Sequence, residues 1–183
     1  MKFAALLLAA VLPLAAQMAS RAAAAPATLG AAPAQPRVPI SMLYAIERTC
    51  DDKLRAIGEP NTVDMLGATR GVYLEGYGAV FTAEIGLVTP PAIYPFHPTA
   101  TAEDKVNIRR KMIERLPLLR KAIAEMARSA AASLAAVPEA QQIVVAVRLD
   151  YMKWEDTSGL PAMILMKADR KSALAGTFTI DEQ

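Results

Sequence analysis

The chain has one cysteine, one histidine and one tryptophan among 183 residues, and aromatic side chains make up only 5% of it. A single cysteine excludes an internal disulfide. One cysteine and one histidine cannot supply the several nitrogen and sulfur ligands that a zinc site needs. A Ser-His-Asp triad would have to use His97, and no serine sits in a G-x-S-x-G context. A Cys-His pair would have to use Cys50 with His97. Cys50 falls on the apolar stripe of a predicted helix, where a buried thiol is inert. There is no phosphate loop: Gly71, Gly76 and Gly78 follow the spacing G-x-x-x-x-G-x-G, and no lysine comes after them. Neither sign of charge dominates, since 20 basic and 18 acidic side chains leave a net charge of +2. Long apolar runs are also missing. The run over residues 4–16 has 13 residues, against the roughly 20 that a membrane-spanning helix needs.

What is present centres on residues 70–88, RGVYLEGYGAVFTAEIGLV. The stretch reads as a β-hairpin with Gly76-Tyr77 at the turn, because glycine first suits a type II′ turn. Glu75 then faces Gly78, Leu74 faces Ala79 and Val72 faces Phe81. Val72, Leu74, Ala79, Phe81, Ala83 and Ile85 would share an apolar face, with Tyr73, Glu75, Val80, Thr82 and Glu84 on the other. A single long strand with a bulge at residues 76–78 is the rival reading. Thr69-Arg70, Tyr73-Leu74-Glu75-Gly76-Tyr77-Gly78-Ala79, Phe81 and the later Pro90-Pro91 carry a resemblance. The chain resembles a family of uncharacterised exported bacterial proteins that share T-R-x-x-Y-L-x-G-Y-G-x-x-F and a following proline pair. The resemblance extends through the long helix to Lys171-Ser172. It implies export and a single domain, and it brings no catalytic or binding residues.

Residues 1–25 read as a secretory signal peptide: Lys2, the apolar run, then small residues. The small-x-small pattern for cleavage occurs both at Ala22-Ala23-Ala24 and at Ala25-Pro26-Ala27. Residues 26–40 hold four prolines and read as a linker. Ser41 is a candidate N-cap and Gly58 a stop for a helix whose apolar positions are Leu43, Ile46, Cys50, Leu54 and Ile57. Residues 89–101 contain four prolines, which exclude regular structure, and carry His97. Thr101 and Asp104 form a capping box for a long helix to about residue 136. Its expected stripe is Val106, Ile113, Leu116, Ile123, Met126, Ala130 and Leu134, and Pro117 should kink or split it. The bases opposite, Arg109, Arg110, Lys111, Arg115, Arg120, Lys121 and Arg128, read as a solvated face with intrahelical ion pairs rather than a nucleic-acid patch. Residues 142–152 alternate as a strand that pairs with residues 161–167. Asp169 caps a short helix that Gly176 ends, and residues 177–183 are expected to be loose.

The order helix, hairpin, long helix, hairpin points to an α+β two-layer sandwich, with an antiparallel or mixed sheet and helices on one face. Residues 41–176 form the expected single domain. The function this supports is an exported, periplasmic or secreted, non-enzymatic binding or accessory module. Its expected partner is a protein or envelope component, with no nucleic acid, no cofactor, no metal and no membrane span after signal cleavage. Tyr73, Glu75, Tyr77 and His97 are the candidate binding residues. A small periplasmic hydrolase using Glu75, Tyr73 or His97, or a Glu75–Glu84 carboxylate pair, is the alternative. Oligomeric state is left open.

Overall fold

The computed structural model describes residues 37–60, 62–89 and 100–183. The expected signal peptide, residues 26–36 of the linker, and the proline-rich loop with His97 lie outside the described residues.

Helix α1 (Ile40–Arg55) buries Leu43, Ile46, Cys50 and Leu54, the stripe read from the sequence. The cap differs. The helix starts at Ile40, and Pro39 offers its carbonyl to the amides of Met42 and Leu43 at 3.0 and 3.4 Å. Ser41 is therefore already inside the first turn and caps nothing. The strands are β1 (Asp64–Met65), β2 (Arg70–Leu74) and β3 (Gly78–Gly86), then, after helix α2 (Ala102–Ser133), β4 (Gln142–Leu149) and β5 (Met163–Asp169). Helix α3 (Arg170–Leu174) and strand β6 (Thr179–Glu182) complete the described chain.

The sheet is mixed and six-stranded, in the order β1-β3-β4-β5-β6, with β2 also paired to β3. Strands β3 and β4 run parallel, because α2 carries the chain back between them; every other pair is antiparallel. With the three helices this is an α+β fold. Ala79, Phe81, Ala83 and Ile85 on β3, Ile143, Val145, Val147 and Leu149 on β4, and Ile164 and Met166 on β5 form one core cluster with residues of α1, α2 and α3.

Residues 70–86 do form a hairpin, but its register is shifted by one residue. Leu74 pairs with Gly78, Tyr73 with Ala79, Val72 with Val80 and Gly71 with Phe81. The loop is Glu75-Gly76-Tyr77, closed by the Tyr77 amide on the Leu74 carbonyl at 3.0 Å, with Gly76 at φ 77°. That is the position where a type II turn places glycine. The slip exchanges the faces of β2. Val72 and Leu74, expected in the core, are 48% and 45% exposed, whereas Tyr73 packs against the core. Two close approaches explain the choice. The Phe81 ring lies over Gly71, where a Cβ would come within 2.6 Å of it. Gly78 passes so near the Gln142 carbonyl that no Cβ fits there.

The capping box of α2 forms as read: the Thr101 hydroxyl accepts from the Asp104 amide at 3.1 Å, and the Asp104 carboxylate accepts from the Thr101 amide at 3.0 Å. The helix then continues through Pro117 as one element. Pro117 sits on the exposed side, where water can satisfy the carbonyl it leaves unpaired. The buried stripe runs through Ile108, Met112, Leu116, Leu119, Ile123, Met126 and Ala130. Val106 and Ile113, expected in the core, are 69% and 52% exposed. Three of the bases of α2 make tertiary contacts, and Arg110 bonds to Asn107 within the helix. Arg115 is buried and donates to the Leu87 carbonyl at 2.6 Å. Arg109 donates to the carbonyls of Asp156 and Ser158. Arg120 makes a two-pronged contact with Glu182 at 2.6 and 2.8 Å. That last pair helps to hold the C-terminal residues. Residues 179–182, expected to be loose, pair with β5 as strand β6.

Candidate functional site

Helix α1 seals the β2 edge of the sheet. Glu47 and Asp51 lie among its buried positions. Asp51 accepts from both the amide and the hydroxyl of Thr69, at 2.8 and 2.6 Å. Glu47 accepts from the Gly71 amide at 2.7 Å. Four residues along a helix rise about 6 Å, and two along a strand about 6.6 Å, so the two spacings match. The carboxylates therefore occupy the outward amides that an edge strand would otherwise offer to another chain. This fixes β2, and so fixes where Arg70, Val72 and Leu74 stand.

Those three residues belong to the other face of the sheet. The pairing registers give its rows. One runs Val72, Val80, Val144, Lys167, Thr179 and the next Arg70, Thr82, Ala146, Leu165, Asp181. Glu84, Arg148 and Met163 form a third. None of Val72, Val80, Thr82, Ala146 or Leu165 belongs to the core cluster. Among the described residues this face has an apolar centre and a charged margin, and its members run from exposed to half-buried, except Val144, which its neighbours bury.

At the margin lies a cleft of about 260 Å³ lined by Gly67, Ala68, Arg70, Thr82, Glu84 and Arg148. Arg148 approaches Glu84 at 3.4 Å, with both side chains largely exposed. Such a pair is worth at most about 1 kcal/mol. The residues of the cleft meet because β3 lies between β2 and β4, which puts Arg70 beside Thr82 and Glu84 beside Arg148. The sequence pattern puts Thr82 and Glu84 on the face away from the core. Sequence reasoning missed Arg70, and it missed that the parallel pairing would gather them.

The sequence-predicted residues fall elsewhere. Tyr73 is half-buried on the helix side and donates its hydroxyl to the Gln141 side chain at 2.9 Å. Glu75 and Tyr77 are exposed at the hairpin turn, Tyr77 by 45%. The Tyr77 carbonyl accepts from the Gln142 amide at 2.7 Å, tying the turn to β4. His97 lies outside the described residues. Glu84 stands six residues into β3, about 20 Å from the turn at ~3.3 Å per residue. Glu75 and Glu84 are therefore not a pair.

The shifted titrations lie away from the cleft. Burial, then the charge of Asp51, pushes the Cys50 thiol up to about 12. Burial, then the charge of Glu155, pushes the Tyr151 phenol up to about 12, and its hydroxyl donates to the Pro161 carbonyl at 2.7 Å. Glu155 is itself raised, chiefly by burial, and accepts from the Met152 amide at 2.8 Å. Tyr151 and Glu155 are spent on the backbone of the β4–β5 connection. Among the described residues no cluster of three or more His, Cys, Asp or Glu side chains offers a metal site. No helix among them is long and apolar enough to cross a membrane. No protein-family model, curated protein or solved structure matches this chain.

Proposed function

We propose that the protein is an exported, non-enzymatic binding module, and that it holds a partner protein against the outer face of its sheet. The observation that carries this reading is the stretch of exposed and half-covered apolar side chains, Val72, Leu74, Val80, Ala146 and Leu165, on the face opposite the core. Apolar rows rimmed by charge are the usual composition of a contact surface. The leader-like residues 1–25 are the reason to look for the partner in the envelope. The arginines of α2 that make tertiary contacts, Arg109, Arg115 and Arg120, weigh against a nucleic-acid role. The hydrolase alternative has lost its Glu75–Glu84 pair and gains no replacement among the described residues.

Photo-crosslinking tests the reading. A photoreactive phenylalanine analogue at Val72 or Leu165 should give a discrete adduct in envelope extract. The same group at the exposed helix positions Lys121 or Arg128 should give none. Val72→Asp, introduced beside a Leu165 probe, should abolish the adduct while the fold persists. Adducts of equal yield from both sides of the molecule, or none from the sheet face, would refute it.

A further inference from the structure

We propose that the cleft between Arg70, Thr82 and Arg148 binds a carboxylate group; this deepens the reading of the outer sheet face as a contact surface and rests on it. The argument is a surplus of donors. The Arg70 guanidinium has five N–H donors and makes no hydrogen bond or ion pair among the described residues. The Thr82 hydroxyl is likewise without a partner among them. The amides of Gly67 and Ala68, in the connection between β1 and β2, have no protein acceptor there either. Arg148 meets an acid at a single long contact, 3.4 Å to Glu84. All of these groups line one cleft of about 260 Å³, which accommodates a small organic acid. Elsewhere the fold finds partners for its arginines where it needs them: Arg109, Arg115, Arg120 and Arg170 all donate to carbonyls or carboxylates. Arg48 and Arg128 also lack a partner among the described residues, but neither lines the cleft, where the free donors of Arg70, Thr82, Gly67 and Ala68 converge.

Charge selects the ligand class. Two guanidinium groups against one carboxylate leave the cleft with a single net positive charge. That matches a monoanion better than a dianionic phosphate. A planar carboxylate also fits the guanidinium fork through two parallel N–H bonds, which a point charge cannot offer. The carboxylate can belong to a free organic acid or to an acidic residue of the partner protein, and the chemistry of capture is the same.

Amide NMR titration of the purified protein tests this. Sodium butyrate, a monocarboxylate, should give saturable shifts at Gly67, Ala68, Arg70 and Thr82, with sodium chloride at equal ionic strength giving none. Arg70→Met should weaken binding about tenfold, a factor that corresponds to the loss of about 1.4 kcal/mol. Arg148→Met provides a second variant should the first disturb the fold. Glu84→Gln should tighten binding by freeing Arg148. Asp52→Asn, the same charge change on α1, should leave it unchanged. A peptide that presents glutamate, if it binds tighter than butyrate and loses its affinity with glutamine in that place, assigns the carboxylate to a partner residue; equal affinity assigns it to a free acid. Shifts that do not saturate, that chloride reproduces, that Arg70→Met leaves intact, or that phosphate alone produces would overturn the proposal. The titration needs no partner, so it can fail while the cross-link from the sheet face stands, and the reverse.

Discussion

Removing the Asp51 carboxylate should cost the fold about 3 kcal/mol. Thr69 is fully buried, and Asp51 is the acceptor for both its amide and its hydroxyl, at 2.8 and 2.6 Å. In Asp51→Ala both donors lose that partner inside the protein. An orphaned buried donor costs roughly 1–3 kcal/mol. Two of them would cost about 2–6 kcal/mol, and water admitted to the space of the missing carboxylate brings this toward the lower half of that range. The Arg55 contact at 3.8 Å, from a half-exposed guanidinium, adds only a few tenths of a kcal/mol. Asp51→Asn keeps one acceptor oxygen and should cost about half as much, roughly 1–2 kcal/mol. Urea unfolding followed by Trp154 fluorescence and far-ultraviolet circular dichroism gives the numbers. A cycle with Thr69→Val should show a coupling of about 1 kcal/mol or more, since the two residues share the bond. Hydrogen exchange at the Thr69 amide should rise in the same variant. If Asp51→Ala costs less than about 0.5 kcal/mol, as ordinary surface substitutions do, the carboxylate does not hold the edge of β2 and the account of how α1 seals it is wrong.

Gly71→Ala should destabilise by about 1–3 kcal/mol, because the new Cβ would stand 2.6 Å from a Phe81 ring that is fully buried and cannot retreat; a neutral substitution, measured by the same urea curves, would show that the register is not set there. Cys50, 1% exposed with its thiol pushed up to about 12, should resist a polar thiol reagent at pH 8 until the protein is unfolded; rapid labelling of native protein would put the helix phase in error. Asp104, Asp156, Asp169 and Glu182 titrate below their ordinary values of 3.8 and 4.5, each first through a hydrogen bond, from Thr101, Ser158, Ser172 and Arg120 respectively. A depressed acid stabilises fully above its unfolded value and loses that contribution as pH falls through the folded one, so the melting temperature should drop below about pH 4. Glu182→Gln should flatten part of that drop, and an unchanged acid limb would show that the Arg120–Glu182 contact does not hold β6.

The parts of the fold that were legible in the sequence are those that local chemistry decides. Thr101 and Asp104 cap α2 because three residues separate them, and Asp169 caps α3 for the same reason. The alternation along residues 143–149 names the inward face of β4 without knowledge of its neighbours. The errors share a different cause. The hairpin register depended on Phe81 needing Gly71 opposite it and Gly78 needing to clear Gln142, and the second of these partners is more than sixty residues away. In α2 the set Val106 and Ile113 and the set Ile108, Met112 and Leu116 both recur at helical spacing. Only the packing of the sheet chose the second.

The polar residues separate along the same line, and this bears on where function lies. Glu47, Asp51 and Arg115 look in the sequence like members of solvated helix faces, yet the structure buries them and gives each a backbone partner. The fold itself accounts for their presence. Arg70 has the opposite standing. Its backbone is held, since Asp51 and Glu47 fix the residues on either side of it, while its guanidinium finds no acceptor among the described residues. A side chain without a partner, mounted on a segment fixed by two buried carboxylates, has lost part of its freedom before any ligand arrives. Preorganisation of this kind lowers the cost of binding. The structural role of Asp51 and the proposed role of Arg70 are thus linked. Asp51→Asn should weaken butyrate binding at the cleft through the loosened backbone of β2, although Asp51 does not line it. If butyrate affinity is identical in Asp51→Asn and in the unaltered protein, the anchoring of β2 contributes nothing to the cleft.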